Sequence, residues 1–407
     1  MSVRRVAVFS MHTSPLAQPG SGDGGGMNVY VRALASALTR SGVECDVYTR
    51  AETPAQPAIV QVEPGFRVLH VDAGPRVPVA KDALYDLVEP FVDAALARML
   101  QQDPVEVLHG NYWLSGAVAH RLKHLLDLPL VATFHTLARV KADAGIDDDP
   151  EHRSLVEHEV VACADLMLAS TAAERAQLAD LYDAAPQRIE VVPPGVDHLV
   201  FSPGDRDAAR HRLGVDASRV LLFVGRIQPL KGADLAVRCL AALDDPSVAL
   251  VVVGGPSGKD GEHELTRVRA LADELGVAAQ IRWVRPQRHD RLAEFYRAAD
   301  VCLVPSRAES FGLVALEAAA CGTPVVAADV GGLRSLVDHD ETGYLVEGRD
   351  PADYAGPVEK LLAFDQLRVE MGSSAAARSL RYSWSMTAAR LRRLYGDLVA
   401  RALVRCD

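Results

Sequence analysis

Short apolar runs alternate with longer amphipathic ones almost throughout the chain. Residues 5–10 (RVAVFS) predict a buried strand. Residues 28–40 follow with helical periodicity, carrying Val29, Leu34, Ala37 and Leu38 near one face, and 45–50 predict the next strand. Further strands are expected at 67–71, 105–109, 129–134, 166–170 and 189–192, with helices at 84–101, 114–126, 150–163 and 173–181. Alternation of this kind predicts an α/β fold whose parallel sheet is covered on both faces.

The pattern then restarts. Strands are expected at 220–225, 249–253, 281–284, 301–305 and 325–328, separated by helices at 233–243, 262–275, 288–298 and 313–320. Two doubly wound units in tandem follow, joined near Pro193-Pro194-Gly195-Val196-Asp197, where fixed and relaxed φ angles shape a connection. The expected division is 1–193, 194–380 and a final segment, 381–407. A helix over 387–404 in that segment sets Leu391, Leu394, Leu398 and Leu403 beside Arg390, Arg392, Arg393 and Arg401, with Arg405 just after it. It either packs its apolar stripe on the protein, crossing back to the first unit, or lies on an anionic membrane surface.

Composition narrows the classes. Of 407 residues, 49 % are hydrophobic and 24 % charged, as in an ordinary soluble globular protein. The net charge of −11 argues against a nucleic-acid partner, whose footprint would be basic. No apolar run is long enough for a transmembrane helix, and the apolar stretch after Arg5 is too short for a secretory signal, so a cytoplasmic protein is expected. The six cysteines (Cys45, Cys163, Cys239, Cys302, Cys321, Cys406) are scattered without metal-ligand spacing and are expected as buried thiols.

Candidate chemistry gathers after the strands. Residues 20–26 hold five glycines just ahead of a helix, where bare backbone can approach an anion closely. In the second unit, Arg226 and Lys231 follow a strand and are spaced to converge on one phosphate. The run from Pro305 to Glu317 follows another strand and opens a helix, whose first amides, at Phe311, Gly312 and Leu313, are expected to hold phosphate. Glu309 and Glu317 would be repelled by a diphosphate, so they suit hydroxyls, one of a sugar and one of a ribose.

Four motifs in this order, Gly-Gly-Met-Asn-Val-Tyr, Pro-Pro-Gly-Val-Asp, Gly-Arg-x4-Lys-Gly and Glu-x7-Glu, resemble those of retaining glycosyltransferases of family 4. The resemblance covers essentially the whole chain and implies the GT-B fold, two Rossmann-like domains facing across a cleft. The segments His12–Leu16, Gly26–Tyr30, Asn111–Gly116 and His135–Ala138 are similar to the inositol-phosphate N-acetylglucosaminyltransferases of mycothiol synthesis.

That resemblance implies roles. A UDP-sugar, UDP-N-acetylglucosamine, would be bound by Gln18, Pro19, Gly26, Arg226, Lys231, Glu309 and Glu317. The acceptor, 1D-myo-inositol 3-phosphate, would meet His12, Asp23, Gly24, Gly25, Gly26, Met27, Asn28, Lys81, Tyr112, Thr136 and Arg153. His135, Arg226, Lys231 and Glu309 would serve catalysis. No cofactor is required for the chemistry; the resemblance allows a structural Mg2+ near Tyr296, Arg297, Ala299 and Thr323, and a homodimer. A sucrose-phosphate-synthase-like transferase and a nucleotide-sugar epimerase are the competing enzyme readings. A non-catalytic binding protein is the reading outside enzymes.

Overall fold

The computed structural model describes residues 3–20, 22, 24–145, 150–258 and 261–406. The chain divides into two compact units. Unit 1 comprises Met1–Ala17, Met27–Gly195 and Trp384–Asp407; unit 2 comprises Gln18–Gly26 and Val196–Ser383.

Among the described residues, unit 1 is built on strands β1 (Arg5–Phe9), β2 (Glu44–Arg50), β3 (Ile59–Glu63), β4 (Phe66–Val71), β5 (Val107–Asn111), β6 (Leu130–Thr133), β7 (Leu166–Ala169) and β8 (Ile189–Val191). They lie in the order β3-β4-β2-β1-β5-β6-β7-β8. Every neighbouring pair is parallel except β3–β4, an antiparallel hairpin at the edge. Unit 2 is built on β9 (Arg219–Val224), β10 (Val248–Val253), β11 (Ile281–Val284), β12 (Val301–Val304), β13 (Val325–Ala328) and β14 (Gly343–Val346), ordered β11-β10-β9-β12-β13-β14 and parallel throughout.

The strands read as unbroken apolar runs because both faces are covered. Ala7 and Phe9 of β1 enter one core with Trp113, Leu114 and Phe91, while Val6 and Val8 enter another with Tyr30, Leu34 and Leu38. In β9, Leu221 and Phe223 face one side and Val220 and Leu222 the other.

The order reverses once in each sheet, between β1 and β5 and between β9 and β12. Chain connections leave in opposite directions there, which opens a crevice at the strands' carboxyl ends. The loops after β1 and β5 carry His12 and Tyr112. Those after β9 and β12 carry Arg226, Lys231 and Glu309. The candidate residues thus sit where a doubly wound fold binds ligands.

Several elements differ from the sequence reading. The helix expected over 84–101 follows a 3-10 turn at Lys81–Ala83, opens with a second at Tyr85–Leu87 and is α-helical only over Val88–Met99. The edge strand β3 has an exposed and half-buried pattern, so no strong apolar signal marks it. Helices Arg206–Leu213, Pro351–Ala363 and Asp365–Ser379, and strand β14, add to the expected set. The final helix runs Trp384–Val399 rather than over 387–404. Its stripe of Trp384, Ala388, Leu391, Leu394, Tyr395 and Leu398 is buried in unit 1, so this stripe is packed on the protein. Arg390 pairs with Glu190 and Arg392 donates to the Ser41 carbonyl. Among the described residues no helix is long and apolar enough to cross a membrane.

The expectation of six separate thiols is corrected. Cys45, Cys239, Cys302 and Cys321 are buried and free, but Cys163 and Cys406 pair as a disulfide with Cα atoms 5.3 Å apart. Their separation of 243 residues hides the pairing from any local spacing rule. It forms because the chain after the last helix turns back along unit 1.

Candidate functional site

In unit 1 the candidate residues converge on Tyr112, the first residue after β5. The Lys81 ammonium lies 5.1 Å and the Arg153 guanidinium 4.7 Å from the centre of its ring. The His12 ring centre is 4.4 Å away. Arg153 Nη1 donates to Tyr112 Oη at 3.1 Å, and Nη2 donates to the Thr136 carbonyl at 2.7 Å and to Thr136 Oγ1 at 3.1 Å. The remaining edge of Arg153 is held by Glu157, Nε to Oε1 at 2.7 Å, and both side chains are fully buried. A buried guanidinium needs this compensation; with it, the fork is fixed and aims at two hydroxyls.

Two backbone features mark the same rim. Tyr112 and His135 follow β5 and β6 closely and have φ of 76° and 63°, a left-handed conformation that costs energy in residues with a Cβ and clusters at functional sites. His135 Nε2 lies 2.9 Å from Asn111 Oδ1, and its ring centre is 4.8 Å from that of Tyr30. Burial, with a smaller contribution from His109, pushes the His135 pKa down to about 3, so its imidazole is neutral at ordinary pH. Asn28 is buried and donates to Thr13 Oγ1 at 2.8 Å and to the Ser14 carbonyl at 2.6 Å, which shapes the loop after β1. Met27 is partly buried against the unit 1 core.

In unit 2, Lys231 Nζ pairs with Glu309 Oε2 at 2.6 Å, and Ser306 Oγ is 3.4 Å from the same oxygen. Glu309 is held from behind by a close approach of backbone. Gly332 N donates to its carbonyl at 2.8 Å, and Gly331, at φ 47°, lies where a Cβ would collide with that carbonyl oxygen. Arg226 Nη1 reaches Ser257 Oγ at 3.3 Å. The glycine loop belongs to this unit: a Cβ on Gly25 would stand 3.1 Å from Arg226 Nε, and one on Gly26 3.4 Å from Leu313. Gly20 N donates to the Gly24 carbonyl at 2.8 Å, and the Gln18 amide donates to the carbonyls of Pro19, at 3.2 Å, and Gln287. Asp23 lies outside the described residues.

The helix Leu313–Ala320 starts at Gly312 with no side chain capping it, so its first amides point outward beside Glu309. Glu317 lies one turn in and is 4 % exposed. Its Oε1 is 2.6 Å from His289 Nε2, and its Oε2 accepts from Tyr296 Oη at 2.8 Å. Burial disfavours charge on His289, but the Glu317 carboxylate outweighs it and raises the pKa. Glu317 is therefore a held carboxylate with lone pairs remaining for a further donor.

The set considered for Mg2+ does not fit one. The Tyr296 carbonyl already accepts from Thr323 Oγ1 at 2.6 Å and Ala299 N at 3.2 Å. The neighbouring Arg297 brings a cation, and the set contains no carboxylate, which a hard dication normally requires.

The sequence reading missed Glu157, Asn111 and His289 as partners. Glu157 is four residues after Arg153 on one helix, so its pairing was legible as an i,i+4 contact. Asn111 lies within a quoted motif, whereas His289 is brought to Glu317 only by tertiary packing.

Residues 25–195 match the glycosyl transferase 4-like domain and residues 205–378 match the glycosyl transferases group 1. The D-inositol 3-phosphate glycosyltransferase of Acidothermus cellulolyticus is 47 % identical over 98 % of this chain and 91 % of its own. The chain belongs to glycosyltransferase family 4. A relative of the same name from Geodermatophilus obscurus is 49 % identical, covering 94 % of this transferase and 87 % of itself. The structure of sucrose-phosphate synthase from Thermosynechococcus elongatus superposes with a TM-score of 0.92 at 32 % identity, over 98 % of this chain and 99 % of that one. Two Rossmann-like parallel-sheet units and this likeness make the fold of the transferase GT-B.

Proposed function

We propose that this glycosyltransferase moves N-acetylglucosamine from UDP-N-acetylglucosamine to 1D-myo-inositol 3-phosphate, with retention at the anomeric carbon. The observation that carries the acceptor is that Lys81 and Arg153 flank the Tyr112 ring at the β1/β5 switch point, with Arg153 also bonded to Thr136. Two cations and two hydroxyls are more than a neutral sugar needs, and they suit a phosphate dianion. The names of the relatives from A. cellulolyticus and G. obscurus support the same acceptor.

On the donor side, Arg226, Lys231 and the outward amides of Leu313–Ala320 stabilise negative charge as the diphosphate leaves. The diphosphate competes with Glu309 for Lys231, which frees a carboxylate for a sugar hydroxyl. Neutral His135 offers a hydrogen bond to the sugar without adding charge. The leaving oxygen takes the proton of the incoming acceptor hydroxyl on the face it departs from, which preserves configuration. No step uses a metal.

The test is UDP release with a panel of acceptors. Inositol 3-phosphate is expected to stimulate it and free inositol to do so poorly. Fructose 6-phosphate is the control, because the likeness to sucrose-phosphate synthase makes that reaction the second reading. Glycosylation of fructose 6-phosphate but not inositol 3-phosphate would overturn the acceptor and leave the transferase class intact. UDP release independent of any acceptor would point to an epimerase-like or hydrolytic reaction instead.

A further inference from the structure

Away from both candidate sites, the helix Trp113–Leu126 presents His120 and His124 one turn apart on a single face. Cys163 ends the helix Arg153–Cys163, and Cys406 comes from the segment after the last helix. One ligand atom from each of these four residues lies within 4.8 Å of all the others. His124 Nε2 is 3.5 Å from Cys163 Sγ and 3.4 Å from Cys406 Sγ, and His120 Nε2 is 4.0 Å from Cys406 Sγ. A tetrahedral zinc ion with bonds of about 2.3 Å to sulfur and about 2.0–2.1 Å to nitrogen sets its nitrogen and sulfur ligands roughly 3.5 Å apart. The two His124–sulfur separations match such edges, and the His120–Cys406 separation, at 4.0 Å, is longer.

The surroundings hold this arrangement together. Asp165 accepts from Val404 N at 2.6 Å, which fixes the tail two residues before Cys406. Its other oxygen accepts from Lys123 Nζ at 2.8 Å and Leu130 N at 2.7 Å, and Lys123 also donates to the Cys163 carbonyl at 2.7 Å. One carboxylate therefore joins the histidine-bearing helix, the tail and the end of the cysteine-bearing helix. A disulfide between Cys163 and Cys406 has no need of two imidazoles aimed at its sulfurs, whereas a Cys2His2 ion site requires them.

We propose that His120, His124, Cys163 and Cys406 form a zinc site that pins the C-terminal tail to unit 1. Two thiolates cancel the charge of Zn2+, and two neutral imidazoles complete four-coordination. A dithiol reductant, itself oxidised to a disulfide, converts the paired cysteines to two thiols; Zn2+ then binds both sulfurs and displaces two protons. His124 is exposed and His120 half-buried, so the ion can enter from solvent, and four protein ligands leave no open position, which makes the site structural rather than catalytic.

The test uses the full chain, reduced with a phosphine, equilibrated with Zn2+ and freed of excess metal. One zinc per chain is expected by elemental analysis. Co2+ in its place is expected to give thiolate-to-cobalt charge-transfer absorption. His124→Ala and Cys406→Ser each alter the surface or the tail, so they fold, and each is expected to lower zinc content roughly tenfold while leaving glycosyl transfer unchanged. Zinc content in the reduced wild type no higher than in these variants, with no charge-transfer band, would overturn the proposal and leave the cysteine pair as a plain disulfide.

Discussion

Lys231 and Glu309 hold each other at 2.6 Å, so each sets the other's availability to a ligand. In the proposed reaction Lys231→Ala removes a cation from the developing diphosphate charge, and kcat is expected to fall about a hundredfold or more, since one such donor contributes about 3–4 kcal/mol to the transition state. Steady-state kinetics check this; an unchanged kcat with only a raised acceptor KM would remove Lys231 from the donor site. The two glutamates are expected to separate. Glu317→Ala strips His289 and Tyr296 of their partner and is expected to weaken UDP binding, while Glu309→Gln slows transfer with UDP still bound. Calorimetry with UDP that shows equal losses would contradict the split. The placement of Arg226, Lys231 and Glu309 in loops after strands, and of Glu317 in the helix that follows, was legible because each lies in a recognisable run. The left-handed backbone of Tyr112 and His135 was not, because neither residue type announces a positive φ.

At the scale of elements, the strands of both sheets stood out as apolar runs, since each is covered on two faces. β3 escaped notice because an edge strand with exposed positions lacks that signal, and the fold-back of the tail onto Cys163 depends on contacts 243 residues apart. The last helix is bound to β5 and β6 through His109. Its imidazole is 2.8 Å from Tyr395 Oη and 2.8 Å from Thr133 Oγ1, fully buried, and burial lowers its pKa to about 3. Above the ordinary histidine range both folded and unfolded chains carry it neutral. As pH falls from about 6.5 toward 3, only the unfolded chain gains the proton, so stability is lost across that interval. Denaturant titrations at pH 7 and pH 5 are expected to show lower stability at pH 5, with a smaller difference in His109→Gln. Leu391→Ala, at a fully buried position in the same helix, is expected to destabilise unit 1 by about 2–5 kcal/mol. A melting temperature unchanged from wild type would mean that the helix does not stabilise the unit.

Over the whole molecule, both candidate sites lie at the point where strand order reverses, one in each parallel sheet. The acceptor reading stands on the first of these, where Lys81 and Arg153 flank Tyr112. Two charge-assisted contacts to phosphate contribute about 1.5–3 kcal/mol each, which corresponds to a preference of at least about a hundredfold over the neutral polyol. The most direct measurement is therefore kcat/KM with UDP-N-acetylglucosamine for inositol 3-phosphate and for inositol, in the same preparation. The account predicts a preference of a hundredfold or more for the phosphorylated acceptor. Equal values for the two, or activity only with fructose 6-phosphate, would contradict it.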